Sequence, residues 1–279
     1  GRIRDAIGDR EGVEVVGGGL RSIDREKLVA VRPTAIFVQS EAGKLPTGLT
    51  EMAGRRGWSV HGYRIETIGD IRGAIADGSG RGIGELMGVP VRALELRNRF
   101  DRRLEAVATA TRDTEAKRVL LVVEGGPGGQ IMACGVNTFL DQLLPRANAY
   151  NALDGLGEDG AEPMGGYPML DLETVLERAG DLVVVISTKP ATAEGEPAGD
   201  LIRKLSARAG DAFEVRVLRD EKALLPTTTL PRVAAKLAKV IHPGAASRVD
   251  RAMAEVESPS PRPGETGVGP DAGPTDGAP

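Results

Sequence analysis

The alternation of apolar and polar positions along the chain predicts one long amphipathic helix over residues 91–112. Apolar residues recur there at spacings of three and four, while charged residues fill much of the opposite side. Strand-like apolar runs lie before and after this segment, at residues 35–38, 58–60, 119–123 and 182–186. The helix therefore either joins two α/β halves or forms an ordinary crossover within a single sheet.

Two stretches of the chain repeat one pattern, which favours two related halves. Ser22 or Asp24 can cap the first of two short predicted helices, Asp171 stands at the place of Asp24 before the second, and Glu26 and Glu173 follow these aspartates by two positions. Each helix leads to a run of four apolar residues, which suits a strand covered on both faces of a sheet. Shared propensity explains the helix and the strand. A glutamate at the same place in both stretches indicates a duplicated or pseudo-symmetric arrangement.

Spacing and turn residues divide the rest of the chain. Helices are predicted over residues 47–57, 65–87, 138–147, 200–210 and 231–240, the second with a break near residues 77–80 where glycines gather. From residue 258 onward the composition is Pro, Gly, Ser, Thr and acidic residues, which cannot bury enough apolar surface to fold. We expect an N-terminal lobe, an interlobe helix, a C-terminal lobe and a disordered tail over residues 1–90, 91–112, 113–257 and 258–279.

Composition excludes several classes of protein. The chain has 279 residues, 41% of them hydrophobic, which fits a globular protein with a large core or two modest ones. Its apolar runs are far shorter than the roughly 20 residues that cross a bilayer. The net charge of −4 gives no basic field for nucleic acid. A single cysteine, Cys134, and two distant histidines, His61 and His242, argue against disulfides and a metal centre. We expect Cys134 to be buried and the histidines to be structural or exposed.

One glycine-rich loop, from Gly125 to Gly129, follows a predicted strand and raises the possibility of a nucleotide site. The loop lacks the third glycine of a dinucleotide fingerprint at its proper place, and extended chain rather than a helix follows it. No nucleophile with a base partner and no paired carboxylates are recognisable either. An enzyme that binds a phosphorylated ligand through this loop is the second hypothesis. The first is a binding protein without catalytic residues or a resident cofactor.

The order of several segments resembles the cobalamin and ferric-siderophore group of periplasmic substrate-binding proteins, the soluble components of ABC importers. Between about residues 12 and 243 the resembling segments are VVGG with SIDREKLVAVRPTAIFVQSE, CGVNTFLDQLLPRANAYNAL, GYPMLDLETVLERAGDLVVVIS and LPRVAAKLAKVIHP. The resemblance implies an α/β fold with two lobes, each with a central mostly parallel sheet, joined by one long rigid helix. It also implies a ligand in the interlobe cleft, a membrane permease as partner, and a periplasmic or lipid-anchored location. We expect a monomer.

Two departures from the family pattern shape the expected ligand. Family members begin with a strand that precedes the first residue of this chain, so we expect an incomplete first lobe. Aromatic residues make up only 3% of the chain. At Leu20 and Gln39 the resemblance to the family implies tryptophans, which this chain lacks at both positions. Since cobalamin-binding relatives hold the ring system between aromatic side chains, a ferric siderophore is the favoured ligand. A partner-binding module whose cleft has lost its ligand is the third hypothesis.

The resemblance and the strand geometry together suggest candidate ligand-binding residues. Gln39 and Ser40 follow a predicted strand at its carboxyl end, where open α/β sheets bind ligands, and Leu20 precedes the first helix. Tyr167 lies on a glycine loop, where it either packs on the lobe or contacts a bulky ligand. Arg232 begins the last predicted helix, where it either pairs with a neighbouring acid or faces an anionic chelate.

The resemblance also assigns a role to the two repeated glutamates. Surface glutamates are usually only solvated. Family members, however, use one glutamate on each lobe to engage arginines of the permease. Glu26 and Glu173 are therefore the candidate docking residues, since a carboxylate and a guanidinium can pair through two hydrogen bonds.

Overall fold

The computed structural model describes residues 17–19, 22–40, 44–123, 130–155, 162–188 and 197–257. The chain divides into two compact units, Gly1–Glu95 and Leu96–Pro279. The predicted tail over residues 258–279 and the loop from Gly125 to Gly129 lie outside the described residues. In the described part of the chain, no helix combines the length and the apolar character needed to span a membrane.

The described part of the first unit contains short strands and helices in alternation. The strands are β1 (Gly17–Gly19), β2 (Ser22–Ile23), β3 (Ala35–Gln39) and β4 (Ser59–Tyr63). The helices are α1 (Arg25–Val31), α2 (Thr47–Arg56), α3 (Ile68–Ile75) and α4 (Ile83–Leu86). β1 and β2 pair antiparallel, whereas β3 and β4 are parallel, with Ala35 opposite Ser59 and Gln39 opposite Tyr63.

Strand β3 is less buried than its sequence predicts. Its first four residues are half-buried and Gln39 is exposed, so the prediction of a strand covered on both faces is wrong. Among the described residues β3 has a single strand neighbour, β4, and the ring of Phe37 stacks on that of His61 with centroids 5.5 Å apart. An apolar run specifies a strand, but its burial depends on how many neighbours cover it.

The predicted break near residues 77–80 is confirmed, and one carboxylate organises it. Helix α3 ends at Ile75 and α4 begins at Ile83. Between them the Asp77 carboxylate accepts hydrogen bonds from the hydroxyl and backbone N–H of Ser79 and from the backbone N–H of Arg81. These bonds, that of the Ser79 side chain first, lower the pKa of Asp77 to about 2.

The long helix is present as predicted. Helix α5 (Pro90–Thr111) has 22 residues and runs from the first unit into the second. Its buried stripe includes Phe100, Leu104 and Val107, at spacings of three and four. At its C-terminal end the hydroxyl of Thr111 donates to the carbonyl oxygen of Val107 at 3.1 Å.

The second unit is built on a six-stranded, mostly parallel sheet. The strands are β5 (Lys117–Val123), β6 (Ile131–Ala133), β7 (Ala149–Asn151), β8 (Met169–Leu170), β9 (Leu182–Ser187) and β10 (Glu214–Arg219). Their order is β10-β9-β5-β6-β8, and β7 pairs with the first residues of β5. β10, β9, β5 and β7 are parallel, whereas β6 pairs antiparallel with both β5 and β8. This arrangement confirms the α/β class.

Besides α5, the described part of the second unit has four helices: α6 (Leu172–Glu177), α7 (Pro197–Ala209), α8 (Leu230–Ile241) and α9 (Ala246–Glu257). All six residues of β9 are buried, because this strand lies between β5 and β10. The core around it includes Val175 of α6, Leu205 of α7 and Phe213. Unlike β3, this strand has the covered surroundings that its apolar run predicts.

Two expectations for the second unit need correction. The predicted helix over residues 138–147 is wrong: the chain forms two 3₁₀ turns, Asp141–Leu143 and Pro145–Ala147, because proline cannot donate to a continuing helix and Asn148 turns the chain with a φ of +47°. Helix α9 is absent from the sequence-based expectations, although Val249, Met253 and Val256 recur at helical spacing.

Candidate functional site

A cavity of about 320 Å³ lies in the second unit beside the carboxyl end of β10. It is lined by Arg219, Asp220, Glu221, Lys222, Thr229, Arg232, Val233 and Lys236. Arg219 is the last residue of β10, and Arg232 lies in the first turn of α8. Because ligands of open α/β sheets bind beyond the carboxyl ends of parallel strands, this is the position where a site is expected.

The cavity wall is held together by the Asp220 carboxylate. The Asp220 side chain is only 8% exposed, and its Oδ2 lies 2.7 Å from the Nζ of Lys236. Its Oδ1 accepts the backbone N–H of Lys222 at 2.8 Å, and its own N–H donates to the carbonyl oxygen of Ser187 at 3.0 Å. One buried residue thus links the ends of β9 and β10 to the middle of α8, and its charge is compensated by its ion-pair partner.

The lining of the cavity is predominantly cationic. Four basic and two acidic side chains of the described residues contribute to it, which gives this part of the lining a net charge of +2. Lys236 is paired with Asp220, whereas no described acidic residue forms an ion pair with Lys222 or Arg232. The Arg232 side chain is exposed at the start of α8. A guanidinium there can form two parallel hydrogen bonds to a carboxylate, so the cavity is suited to an anion.

Tyr167, the second candidate of this unit, is exposed and does not line the cavity. It follows Gly166, which has a φ of +68°, in a tight loop that pairs with the chain after β6. In that pairing the N–H of Gly135 donates to the carbonyl oxygen of Gly166, and a Cβ on Gly135 would lie 2.1 Å from the carbonyl oxygen of Met164. The ring is therefore presented by a closely packed backbone, and its contact with ligand stays a prediction.

The candidates of the first unit lie at the end of β3. Gln39 is exposed, whereas Ser40 is buried and its N–H donates to the carbonyl oxygen of Tyr63 at 2.9 Å. The Ser40 hydroxyl has no hydrogen-bond partner among the described residues. Leu20 lies outside the described residues. The ligand-binding role of all three stays a prediction.

Glu26 and Glu173 occupy the same position in two capped helices. Asp24 caps α1 by accepting the N–H of Lys27 at 3.0 Å, and Asp171 caps α6 by accepting the N–H of Thr174 at 2.8 Å. Each glutamate is the second helical residue after its cap, and both side chains are exposed. The local equivalence inferred from the sequence is therefore present, while the docking role stays a prediction.

The cysteine and the histidines have structural surroundings. Cys134 is fully buried, and this burial raises the pKa of its thiol to about 12, so the thiol stays protonated. His242 is buried with its Nε2 2.9 Å from the carbonyl oxygen of Ala147. His61 is half-buried beside Phe37. In the described ranges, no three His, Cys, Asp or Glu residues come together as a metal-binding group.

Sequence reasoning identified Arg232 but missed the other charged residues of the cavity. Arg219, Asp220, Glu221 and Lys222 form a charged run directly after a predicted strand, which is a usable signal for a strand-end site. Lys236 lies one helical turn after Arg232, on the same side of α8. Only the fold shows that this helix face and the strand end line one cavity.

Comparison with known proteins gives matches at the level of family and fold. A family model described as periplasmic binding protein matches residues 80–200. The comparison with curated protein sequences gave no significant match.

Solved structures with the same fold cover most of the chain. A periplasmic heme-binding protein from Pseudomonas aeruginosa is 25% identical, with 81% of this chain and 78% of that one covered and a TM-score of 0.59. A possible iron-binding protein from Staphylococcus epidermidis is 17% identical, with coverage of 80% and 81% and a TM-score of 0.59. A vitamin B12-binding protein from Vibrio cholerae is 17% identical, with coverage of 90% and 87% and a TM-score of 0.57.

These matches agree with the order of segments and with the α/β fold. The resemblance found in the sequence is thereby confirmed at the level of the family. Residues 80–200 match the periplasmic binding protein family, and the fold agrees with that match.

Proposed function

We propose that the protein is the solute-binding component of an ABC importer, that it captures an anionic metal chelate, and that it delivers this ligand to a membrane permease. A ferric siderophore is the favoured ligand over cobalamin. The observation that carries the proposal is the position of Arg232, which faces a cationic cavity at a strand end in a chain of this family.

Family membership and electrostatics support this choice in different ways. Proteins with the same fold are named as binding heme, iron and vitamin B12, so metal-containing ligands are common to these neighbours. Of these ligand types, an anionic complex gains most from a lining with a net charge of +2. Cobalamin offers mainly amide groups to a binding site, so such a lining gives it little electrostatic advantage over its hydration in water.

Calorimetric titration of the whole chain tests the ligand class. The panel consists of the iron(III) tris-catecholate complex, hemin and cyanocobalamin. We expect the anionic iron complex to bind more tightly than cyanocobalamin, and Arg232→Glu to weaken its binding by about tenfold or more. Arg208→Glu, on the exposed side of α7, makes the same charge change away from the cavity and should leave affinity unchanged. Tighter binding of cyanocobalamin would overturn the choice of ligand.

The delivery step is assigned to Glu26 and Glu173. Both carboxylates are exposed at equivalent helix positions, so each is available to pair with a permease arginine. Reversal of either charge, in Glu26→Arg or Glu173→Arg, should reduce uptake in a transport assay, and the double variant should reduce it further. Titrations of the same variants should show unchanged ligand affinity. Undiminished uptake by the double variant, or a parallel loss of ligand binding, removes the docking role.

A further inference from the structure

We propose that the strand-end cavity selects a small, carboxylate-rich iron chelate and that Lys222 joins Arg232 in binding its carboxylates. This inference rests on the proposed function and narrows its ligand class. Asp220 acts as a positioning residue, because its carboxylate oxygens already hold the backbone of Lys222 and the ammonium group of Lys236.

The chemistry of the lining disfavours a flat macrocycle. Among the described residues that line the cavity, Val233 is the one apolar side chain and none is aromatic. A porphyrin or corrin ring binds through a large apolar face, which needs aliphatic or aromatic partners to replace water. Charged and hydroxyl groups keep their hydration against such a face and gain nothing from its burial.

The volume of the cavity points to a compact ligand. Ligand pockets generally range from roughly 300 to 1,000 Å³, so a cavity of about 320 Å³ is near the lower end. A polycarboxylate complex of iron, or the carboxylate-bearing edge of one, is of this size. A bulky tris-catecholate complex would have to leave most of its apolar ring surface outside.

The arrangement of charges fits several carboxylate oxygens. Lys236 is already neutralised by Asp220 at 2.7 Å, and Arg219 already has an interaction partner, so Lys222 and Arg232 are the lining cations that we assign to the ligand. Arg232 offers a planar donor pair for one carboxylate, and Lys222 offers a compact charge for a second. A ligand with two or more negative charges balances the net charge of +2 of the lining.

The backbone contacts explain why Asp220 matters to Lys222. Oδ1 of Asp220 accepts the Lys222 N–H at 2.8 Å, which fixes the turn that carries the lysine. The replacement Asp220→Ala removes this acceptor together with a negative charge of the cavity. A purely electrostatic role for this residue therefore predicts tighter anion binding in the variant. A positioning role predicts weaker binding despite the more positive lining, and this opposite sign distinguishes the two.

The test uses the whole chain and calorimetric titration with the iron(III) complex of citrate, the iron(III) tris-catecholate complex, hemin and inorganic phosphate. We expect ferric citrate to bind most tightly and its affinity to fall as salt is added. Lys222→Glu and Arg232→Glu should each lower that affinity by about tenfold or more, while Arg208→Glu should not. Asp220→Ala should lower it by a smaller factor with an unchanged circular dichroism spectrum, whereas Asp220→Asn, which keeps a side-chain oxygen for the Lys222 N–H, should not lower it.

Other outcomes separate this inference from the proposed function. Tighter binding of hemin or tris-catecholate than of ferric citrate overturns the carboxylate inference and leaves the metal-chelate proposal standing. Phosphate that competes with ferric citrate at equal affinity shows a general anion site and also overturns the inference. If none of the iron complexes binds, the proposed function itself fails.

Discussion

The helix-to-strand segments of the two units have the same sequence pattern but different surroundings. In the first unit, α1 with its Asp24 cap leads into β3, which is half-buried and pairs with β4. In the second, α6 with its Asp171 cap leads into β9, which is fully buried between β5 and β10. Local sequence fixes the cap, the helix and the strand. The number of neighbouring strands and helices fixes how much apolar surface leaves water, and with it the stabilisation.

The largest expected difference between the units comes from one matched substitution. Ile186 of β9 is fully buried, whereas Ile36 of β3 is half-buried. Ile186→Ala should cost about 2 to 5 kcal/mol of unfolding free energy because it leaves a cavity in a closed core. Ile36→Ala should cost roughly 1 to 2 kcal/mol. Both costs can be measured by urea unfolding followed by circular dichroism. Hydrogen exchange then assigns each transition to its unit. Equal costs would show that β3 is as well covered as β9.

A second comparison uses glycines with positive φ. A Cβ on Gly180, which has a φ of +65°, would lie 2.7 Å from the carbonyl oxygen of Arg118. Gly57, with a φ of +71°, has open space at the same point. Gly180→Ala should therefore cost roughly 3 kcal/mol or more, and Gly57→Ala about 1 to 2 kcal/mol. Gly210→Ala, an open glycine of the second unit, is the matched control for thermal melts. A small effect at Gly180 would mean that β9 can move away from β5.

Acid should weaken the second unit through His242. Burial, together with Lys117 and Arg216, lowers the pKa of this imidazole below its usual 6.5, despite hydrogen bonds to backbone carbonyls that act the other way. The folded state therefore binds a proton less readily than the unfolded state, so stability falls as pH drops below about 6.5 and levels off below the folded pKa. His242→Gln, which keeps an N–H donor for Ala147, should flatten this dependence. The measurement is the melting temperature of the unsubstituted protein and of the variant between pH 7.5 and 5. An equal fall in both would contradict the role of His242.

The smallest expected effects come from the two helix caps. Asp24→Ala and Asp171→Ala each remove an acceptor for a helix N–H and should lower the melting temperature slightly. The hydrogen bonds to Thr174, backbone first, lower the pKa of Asp171, so its stabilisation is lost only as pH falls through that lowered value. Asp171→Ala should therefore reduce acid sensitivity below about pH 4. Asp→Asn variants, which keep a side-chain oxygen, are the controls. Unchanged melting temperatures in both Asp→Ala variants would show that packing alone holds the two helices.

Most elements were predictable because their signals are local. The 3.6-residue spacing in α5, the aspartate caps of α1 and α6, and the apolar runs of β5 and β9 each depend on residues close in sequence. Residues 138–147 have the same kind of local signal, but the helix predicted there is wrong because distant partners hold the chain in this region. Asn151 donates to the carbonyl oxygen of Cys134 and to Asp141, which favours turns over a helix.

The features of the candidate site also fall into those that local sequence predicts and those that depend on distant contacts. The sequence by itself determined the family resemblance, the place of Arg232 at a helix start and the equivalence of Glu26 and Glu173, because all three depend on order and spacing along the chain. Only the tertiary structure decided that Lys222 and Lys236 share a cavity with Arg232, and that Asp220 joins β9, β10 and α8. These contacts join segments that meet only when parallel strands align their carboxyl ends, and spacing along the chain does not encode that alignment.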